Sequence, residues 1–271
     1  MVGLDIKREL VRGHLSCARA VRLPAAAAGG SVLVAAAIYL AVSGSLRGAG
    51  VAMATDLGAA LGILAVFGGG APAILRPTLA AVAIGGDIAS VSVVALTSEA
   101  AARVAACLCV AGVAAAVLLP ARLNPHLFGP SDWLRRRLRG PVMFVVLPLL
   151  ALSTAISATA AGVADVSARP IARGVALALL AGKPAGVMAG AWIAVRTGIA
   201  QLPRGVTWRH MWGLACLTGI GLAMSLAVAG MATLGPGATT GAAVGILGAS
   251  TVSAVCGGLL LYGCHPPPSA R

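Results

Sequence analysis

Charge and aromatic rings are what this sequence has least of. Only 10% of its 271 residues are charged and 3% are aromatic. A soluble domain carries about 25% charged residues, so this chain lacks the polar atoms to coat a globular surface. Hydrophobic residues make up 59% of it and the mean hydropathy is +0.97. Scarce Trp and Tyr leave only thin aromatic belts for a membrane interface. Lysine is nearly absent, since the 20 basic residues include only Lys7 and Lys183 besides arginine. The first ten residues are not expected to act as a secretory signal, because Asp5, Lys7, Arg8 and Glu9 interrupt any apolar core there. Those residues are expected to form the cytoplasmic end of a helix.

What remains is a run of apolar stretches near 23–43, 50–68, 78–98, 101–120, 141–163, 174–195, 210–233 and 238–262. Most approach the roughly 20 residues that cross about 30 Å of hydrocarbon. The expected architecture is all-α: one polytopic membrane domain over 1–271, with about eight spans and a partial N-terminal helix. Segment 1–22 reads as a cytoplasmic helix end, 121–140 as a basic cytoplasmic loop and 264–271 as a Pro-rich tail.

A net charge of +13 would suggest nucleic acid in a soluble protein. Its distribution argues otherwise. Numbering the sides alternately from a cytoplasmic start puts Lys7, Arg8, Arg12, Arg19, Arg22, Arg76, the arginines of 122–139, Arg196, Arg204, Arg209 and Arg271 inside. Only Arg47, Arg103, Arg169 and Arg173 fall outside. That asymmetry is the positive-inside rule, so the basic excess is a topology signal for a multi-pass plasma-membrane protein. The lipid bilayer is the expected partner, and nucleic acid is not.

Ionisable residues in mid-span are costly and mark function by default. Of the seven acidic residues, Asp5, Glu9, Glu99, Asp132 and Asp165 fall at ends or loops. Asp56 and Asp87 do not, and Lys183 is the only mid-span base. Asp87 and Lys183 each lie about nine residues into their stretches, about 13 Å deep at 1.5 Å per residue. Opposite charges at equal depth stabilise each other, whereas each alone tends to neutralise. The pair reads either as a structural ion pair or as a proton and cation relay, with the relay favoured.

Helix composition is irregular in two places. Met53-Ala54-Thr55-Asp56-Leu57-Gly58 and Thr218-Gly219-Ile220-Gly221-Leu222 place polar residues and glycine in mid-span. Unwound backbone at membrane depth is tolerated only where it is buried in protein or lines a cavity. Paired interruptions in two halves are the mark of an inverted-repeat transporter. Taken alone, however, glycine is common in membrane helices as packing surface.

Together these motifs resemble the NhaA-type sodium/proton antiporters. Val2–Leu10 is similar to that family's acidic and basic helix end, and Met53–Asp56 to its first interruption. Leu180–Gly186 resembles its Gly-Lys-Pro helix, Leu202-Pro203-Arg204-Gly205 a loop motif, and Gly219–Ser225 the second interruption. The motifs occur in family order over almost the whole chain.

The resemblance implies crossed broken helices interrupted at Gly219 and Gly221, with Asp56 offsetting positive half-helix ends. It implies an ion and proton site at Asp87, with Thr55, Asp56 and Lys183 around it. Sodium, with lithium as an alternative, would compete with H⁺ for Asp87, and Lys183 would tune the pair. Asp5, Glu9 and His14 would be pH-sensing candidates, with a solvated helix end as the plainer reading. No cofactor is implied. Family members form dimers, so a homodimer is an expectation.

Several positions depart from the family pattern. Gly86 stands where most members have the first of two consecutive Asp, leaving Asp87 as the remaining partner for Lys183. Thr154 replaces an Asn, and Ala223 replaces the Thr beside the second interruption. Two spans are expected to be missing around residues 100–120, an even number that preserves the orientation of the later spans. A catalytically decayed, non-transporting homologue is therefore an alternative.

Other readings are weaker. The six cysteines include one Cys-x-Cys but no pair of metal-spaced clusters, so buried thiols are expected. His210 falls near a cytoplasmic end, where an interfacial role outweighs pH sensing. Gly85-Gly86-Asp87 with Asp56 faintly resembles the paired aspartates of intramembrane proteases, but the order is Gly-Gly-Asp, Thr55 precedes Asp56, and Lys183 would spoil a shared proton. The chain is expected not to be an enzyme.

Overall fold

Backbone polar groups in lipid have no water to bond, so apolar runs of this length satisfy them internally as helices. The computed structural model describes residues 18–46, 48–97, 137, 170–203, 205–232 and 238–264. They form α1 (Ala18–Ser43), α2 (Ala49–Met53), α3 (Leu57–Phe67), α4 (Leu75–Thr97), α5 (Pro170–Leu177), α6 (Lys183–Arg196), α7 (Trp208–Thr218), α8 (Leu222–Met231) and α9 (Ala238–Tyr262). Among the described residues there is no strand.

Five stretches are long and apolar enough to cross a membrane: Val21–Ser43, Ala49–Phe67, Leu75–Thr97, Pro170–Arg196 and Ala238–Tyr262. The pair α7 and α8, bent by 41° at its break, makes a sixth if counted as one span. These six coincide with six of the apolar stretches read from the sequence. The other two, 101–120 and 141–163, lie outside the described residues, as do the 121–140 loop apart from Arg137, Thr154, and Asp5, Glu9 and His14.

Three local features shape the bundle. The first is a π-helical turn, Ala178–Gly182, between α5 and α6, closed by the Lys183 N–H donating to Ala178 O. Pro184 explains it: proline has no N–H for the carbonyl four residues back, and its ring crowds that carbonyl. A single wide turn absorbs the misfit and sets the direction in which Lys183 points.

The second is the close crossing of α1 and α6. Gly186 and Gly190 face Gly30 and Ala26 so tightly that a Cβ on Gly186 would strike the Gly30 carbonyl. One on Gly190 would strike Ala26 O. Small residues four apart let membrane helices approach to backbone contact, and here they pin the Lys183 helix onto α1.

The third is a polar layer between two apolar clusters. One contains Tyr39, Met53, Val94, Leu179, Leu226 and Ile246; the other contains Leu64, Leu79, Val82, Val187, Leu217 and Leu261. Along α4 the chain passes from Val82 through Asp87 to Val94, and along α5–α6 from Leu179 through Lys183 to Val187. The site residues occupy the level at which these elements change cluster.

Candidate functional site

Two helices stop in mid-bundle and their broken ends meet. The first break runs from Ala54 to Asp56 between α2 and α3, and the second from Gly219 to Gly221 between α7 and α8. They are joined directly by the Asp56 N–H, which donates to Ile220 O at 2.7 Å. The Thr55 hydroxyl donates to Thr218 O at 3.3 Å.

Each break leaves one helix C-terminus with unsatisfied carbonyls and one N-terminus with unsatisfied N–H groups. Asp56 serves both N-termini. Its Oδ1 accepts from the Ala59 N–H at 3.1 Å, capping α3. Its Oδ2 accepts from the Ala223 N–H at 3.1 Å, in the first turn of α8. An anion is stabilised at the positive end of a helix, and here one carboxylate meets two such ends. Ser250 of α9 satisfies a further donor by accepting from the Gly221 N–H at 3.0 Å.

Lys183 meets a negative end. Its ammonium donates to Ala54 O, beyond the last turn of α2, and to Thr55 Oγ1 at 2.8 Å. The side chain is 0% exposed. Ala54 O also accepts from the Ser225 hydroxyl at 3.2 Å.

Asp87, also buried, on α4, accepts from the Thr55 N–H at 2.9 Å through Oδ1. The Ser90 hydroxyl, one turn on, ties α4 to Gly50 O at 2.7 Å. The sequence left Asp87 as the remaining partner of Lys183, and the structure sets both against the first break. Thr55 stands between them, its N–H on the carboxylate and its hydroxyl on the ammonium.

Gly86 has its own reason for being glycine. A Cβ built there would lie 2.9 Å from Met53 O and 3.6 Å from Thr55 Oγ1. A side chain at 86 would therefore press on the last turn of α2 and point at the atoms Lys183 now holds.

The structure thus brings Thr55, Asp56, Asp87, Lys183, Gly219 and Gly221 to one place. Ser225, Ser250 and Ser90 join them without having been singled out in the sequence. Serine is ordinary in membrane helices, where it back-bonds to its own helix, as Ser92 does here to Ile88 O. Only the fold shows which serines cross to another element.

Chemically, the site gathers a carboxylate, a backbone carbonyl and a hydroxyl, the oxygen ligands that hard cations take. An ammonium shares the carbonyl and the hydroxyl. A carboxylate can also hold a proton, so the two can exchange at one atom.

The profile of the family described as "Na+/H+ antiporter 1" matches residues 1–117 and 102–261. The chain is 38% identical to the Na(+)/H(+) antiporter NhaA 2 of Novosphingobium aromaticivorans, across 98% of this chain and 80% of that one. It is 37% identical to the Na(+)/H(+) antiporter NhaA 2 of Frankia alni, across 93% of this chain and 62% of the other. It is 33% identical to the Na(+)/H(+) antiporter NhaA of Brucella abortus, across the whole chain but only 43% of that protein. The first of these alignments runs over 313 positions against the 271 residues here, so the relative carries internal segments that this chain lacks. The profile match covers most of the chain, and on that ground the chain belongs to the NhaA-type Na⁺/H⁺ antiporter family.

Proposed function

We propose that the chain exchanges Na⁺ for protons across a bacterial plasma membrane, with ion and proton competing for Asp87. The observation that carries this reading is the placement of the Asp87 carboxylate on the Thr55 N–H at the first break, beside the oxygens of Ala54 and Thr55. Sodium must leave most of its water behind, and these oxygens replace it. A proton arriving on the carboxylate cancels its charge and releases the ion. Alternating access, by movement of the crossed broken helices, carries the reloaded site to the other side.

Lys183 occupies oxygens that the ion needs. Loading of Na⁺ therefore requires the ammonium to withdraw from Thr55 Oγ1 or to give up a proton. With Gly86 in place of a carboxylate, the site takes up fewer protons per Na⁺ than its two-Asp relatives, and transport is correspondingly less electrogenic. Asp56 serves as a fixed anion that holds the crossing together. An inverted-repeat bundle of about eight spans, with the basic loops cytoplasmic, Li⁺ as an alternative ion and a homodimer as the assembly, completes the proposal. As the member of a transporter family, the chain is not an enzyme, and the aspartyl-protease alternative falls.

The test is Na⁺-driven proton movement in everted membrane vesicles. Wild-type protein should dissipate a preset acid interior on addition of Na⁺, and Asp87→Asn should not. Full activity in Asp87→Asn would remove Asp87 from the ion site. Gly86 favours one second reading, a scaffold that no longer transports. Failure of the wild-type chain to rescue growth of a salt-sensitive, antiporter-deficient host at high Na⁺ would support that reading instead.

A further inference from the structure

At Ala54 O a cation and the opposite broken helix meet on one atom. The Lys183 ammonium donates to it from α6, and the Ser225 hydroxyl donates to it at 3.2 Å from α8. A carbonyl oxygen has two lone pairs, so these two donors fill it. Ser225 itself is 0% exposed. Among the described residues no group donates to its Oγ, which therefore keeps its own acceptor capacity beside a carbonyl that already holds a positive charge.

Ser225 had a simpler partner within reach. Hydroxyls along these helices bond the carbonyl four residues back, as Thr78 does to Ile74 O, Ser92 to Ile88 O, Thr97 to Val93 O and Thr251 to Leu247 O. The equivalent carbonyl for Ser225 is Gly221 O, which takes its N–H at 2.8 Å, yet the hydroxyl crosses to the first break. Ser90 also crosses, but to Gly50 O, a carbonyl inside α2 that receives the Ala54 N–H. Among the described hydroxyls, Ser225 alone shares its acceptor with an ammonium. The turn that carries it is held in place, with the Gly221 N–H on Ser250 Oγ and the Ala223 N–H on Asp56 Oδ2. A group on so constrained a turn is preorganised, and Ser225 is the sole hydroxyl of α8.

We propose that Ser225 Oγ is an oxygen ligand of the transported cation, supplied by the second broken helix to a site otherwise built on the first. The ammonium marks where positive charge rests on Ala54 O and Thr55 Oγ1. When Lys183 withdraws, the ion takes those oxygens and has Ser225 Oγ beside them. A hard cation needs several oxygens to replace its water. With Gly86 in place of a further carboxylate, neutral oxygens must complete the shell, and Ser225 adds one without adding charge. Ala54 and Thr55 lie at the first break and Ser225 just past the second, so a loaded ion ties the two broken helices together. The inference rests on the reading that Na⁺ replaces Lys183 at this crossing.

The experiment measures Na⁺-driven proton flux in proteoliposomes and Na⁺-dependent thermal stabilisation in detergent, with choline as the control salt. Full-length wild type, Ser225→Ala, Ser225→Cys and Ser225→Thr are compared. Ser225→Ala should raise half-saturating Na⁺ about tenfold, with the maximal rate at saturating Na⁺ kept within about twofold. Ser225→Cys fills the same space with a soft sulfur and should raise it at least as far. Ser225→Thr keeps the oxygen and should stay within about twofold of wild type. A Ser225→Ala or Ser225→Cys protein with wild-type half-saturation would overturn the ligand, even if it melts lower, because a structural contact lowers stability equally in Na⁺ and in choline. So would a loss in Ser225→Thr as large as that in Ser225→Ala. A wild type that is stabilised by Na⁺ but gives no flux would sink the exchange reading, and the stabilisation titrations would still decide Ser225. A wild type with neither response would overturn both.

Discussion

Replacing Asp56 tests the crossing at its most loaded atom pair. Asp56→Ala removes the acceptor for the Ala59 N–H and for the Ala223 N–H together. Loss of an N-cap costs about 1 kcal/mol, and loss of an anion at a helix N-terminus costs about 0.3–1 kcal/mol per end, more when partly buried. For two ends the sum is about 3 kcal/mol. In a chain of this size that lowers the melting temperature by about 6–12 °C.

Asp56→Ser sharpens the test. Serine is a good N-cap for α3, but it carries no charge and its single hydroxyl cannot bridge to α8, so its loss should be about two-thirds that of Ala. The assay is thermal denaturation of detergent-solubilised protein followed by helical circular dichroism. An Asp56→Ala protein melting within about 2 °C of wild type would refute the claim that this carboxylate holds two helix ends. So would a Ser variant as damaged as the Ala variant.

Two further substitutions probe packing around the site. Gly86→Ala places a Cβ 2.9 Å from Met53 O, and such overpacking costs about 1–3 kcal/mol. Its melting temperature should fall, and Gly86→Asp should not strengthen Na⁺-driven flux, because the space a second carboxylate needs is filled by α2. A Gly86→Asp protein with wild-type stability and higher flux would show the opposite. Gly186→Leu forces a side chain into the Gly30 backbone and should separate α6 from α1. Size-exclusion chromatography should then show aggregated protein, and a monodisperse peak with normal flux would count against that close contact.

The two interruptions and the three buried charges were legible in the sequence because lipid makes them expensive. A charge at Asp56, Asp87 or Lys183 stands out against an apolar run, and Thr55-Asp56 in one run and Gly219 and Gly221 in another mark where a helix is interrupted. Six of the apolar stretches coincide with spans of the structure to within a few residues at either end, because length and hydropathy together suffice to locate them. Less legible were contacts made by cheap residues to backbone atoms. Ser225 reaches Ala54 O across 171 residues of sequence, and its place at the end of the second interruption does not by itself name that partner.

The relation of Asp87 to Lys183 was half visible. Equal depth put them at one level, but the intervening Thr55 could be placed only by the fold. The π-helical turn before Lys183 follows from Pro184 once the helix is known to continue through it, whereas a proline read from sequence more often ends a helix.

The central claim is that Na⁺ and H⁺ compete for the Asp87 carboxylate. Its most direct test is the half-saturating Na⁺ concentration for proton efflux from proteoliposomes containing the wild-type chain, measured across a pH series. Competition at one carboxylate predicts that half-saturating Na⁺ rises steadily as pH falls, with the maximal rate at saturating Na⁺ preserved, and that Asp87→Asn is inactive at every pH. Half-saturation that does not move with pH, or flux that survives in Asp87→Asn, would contradict the account.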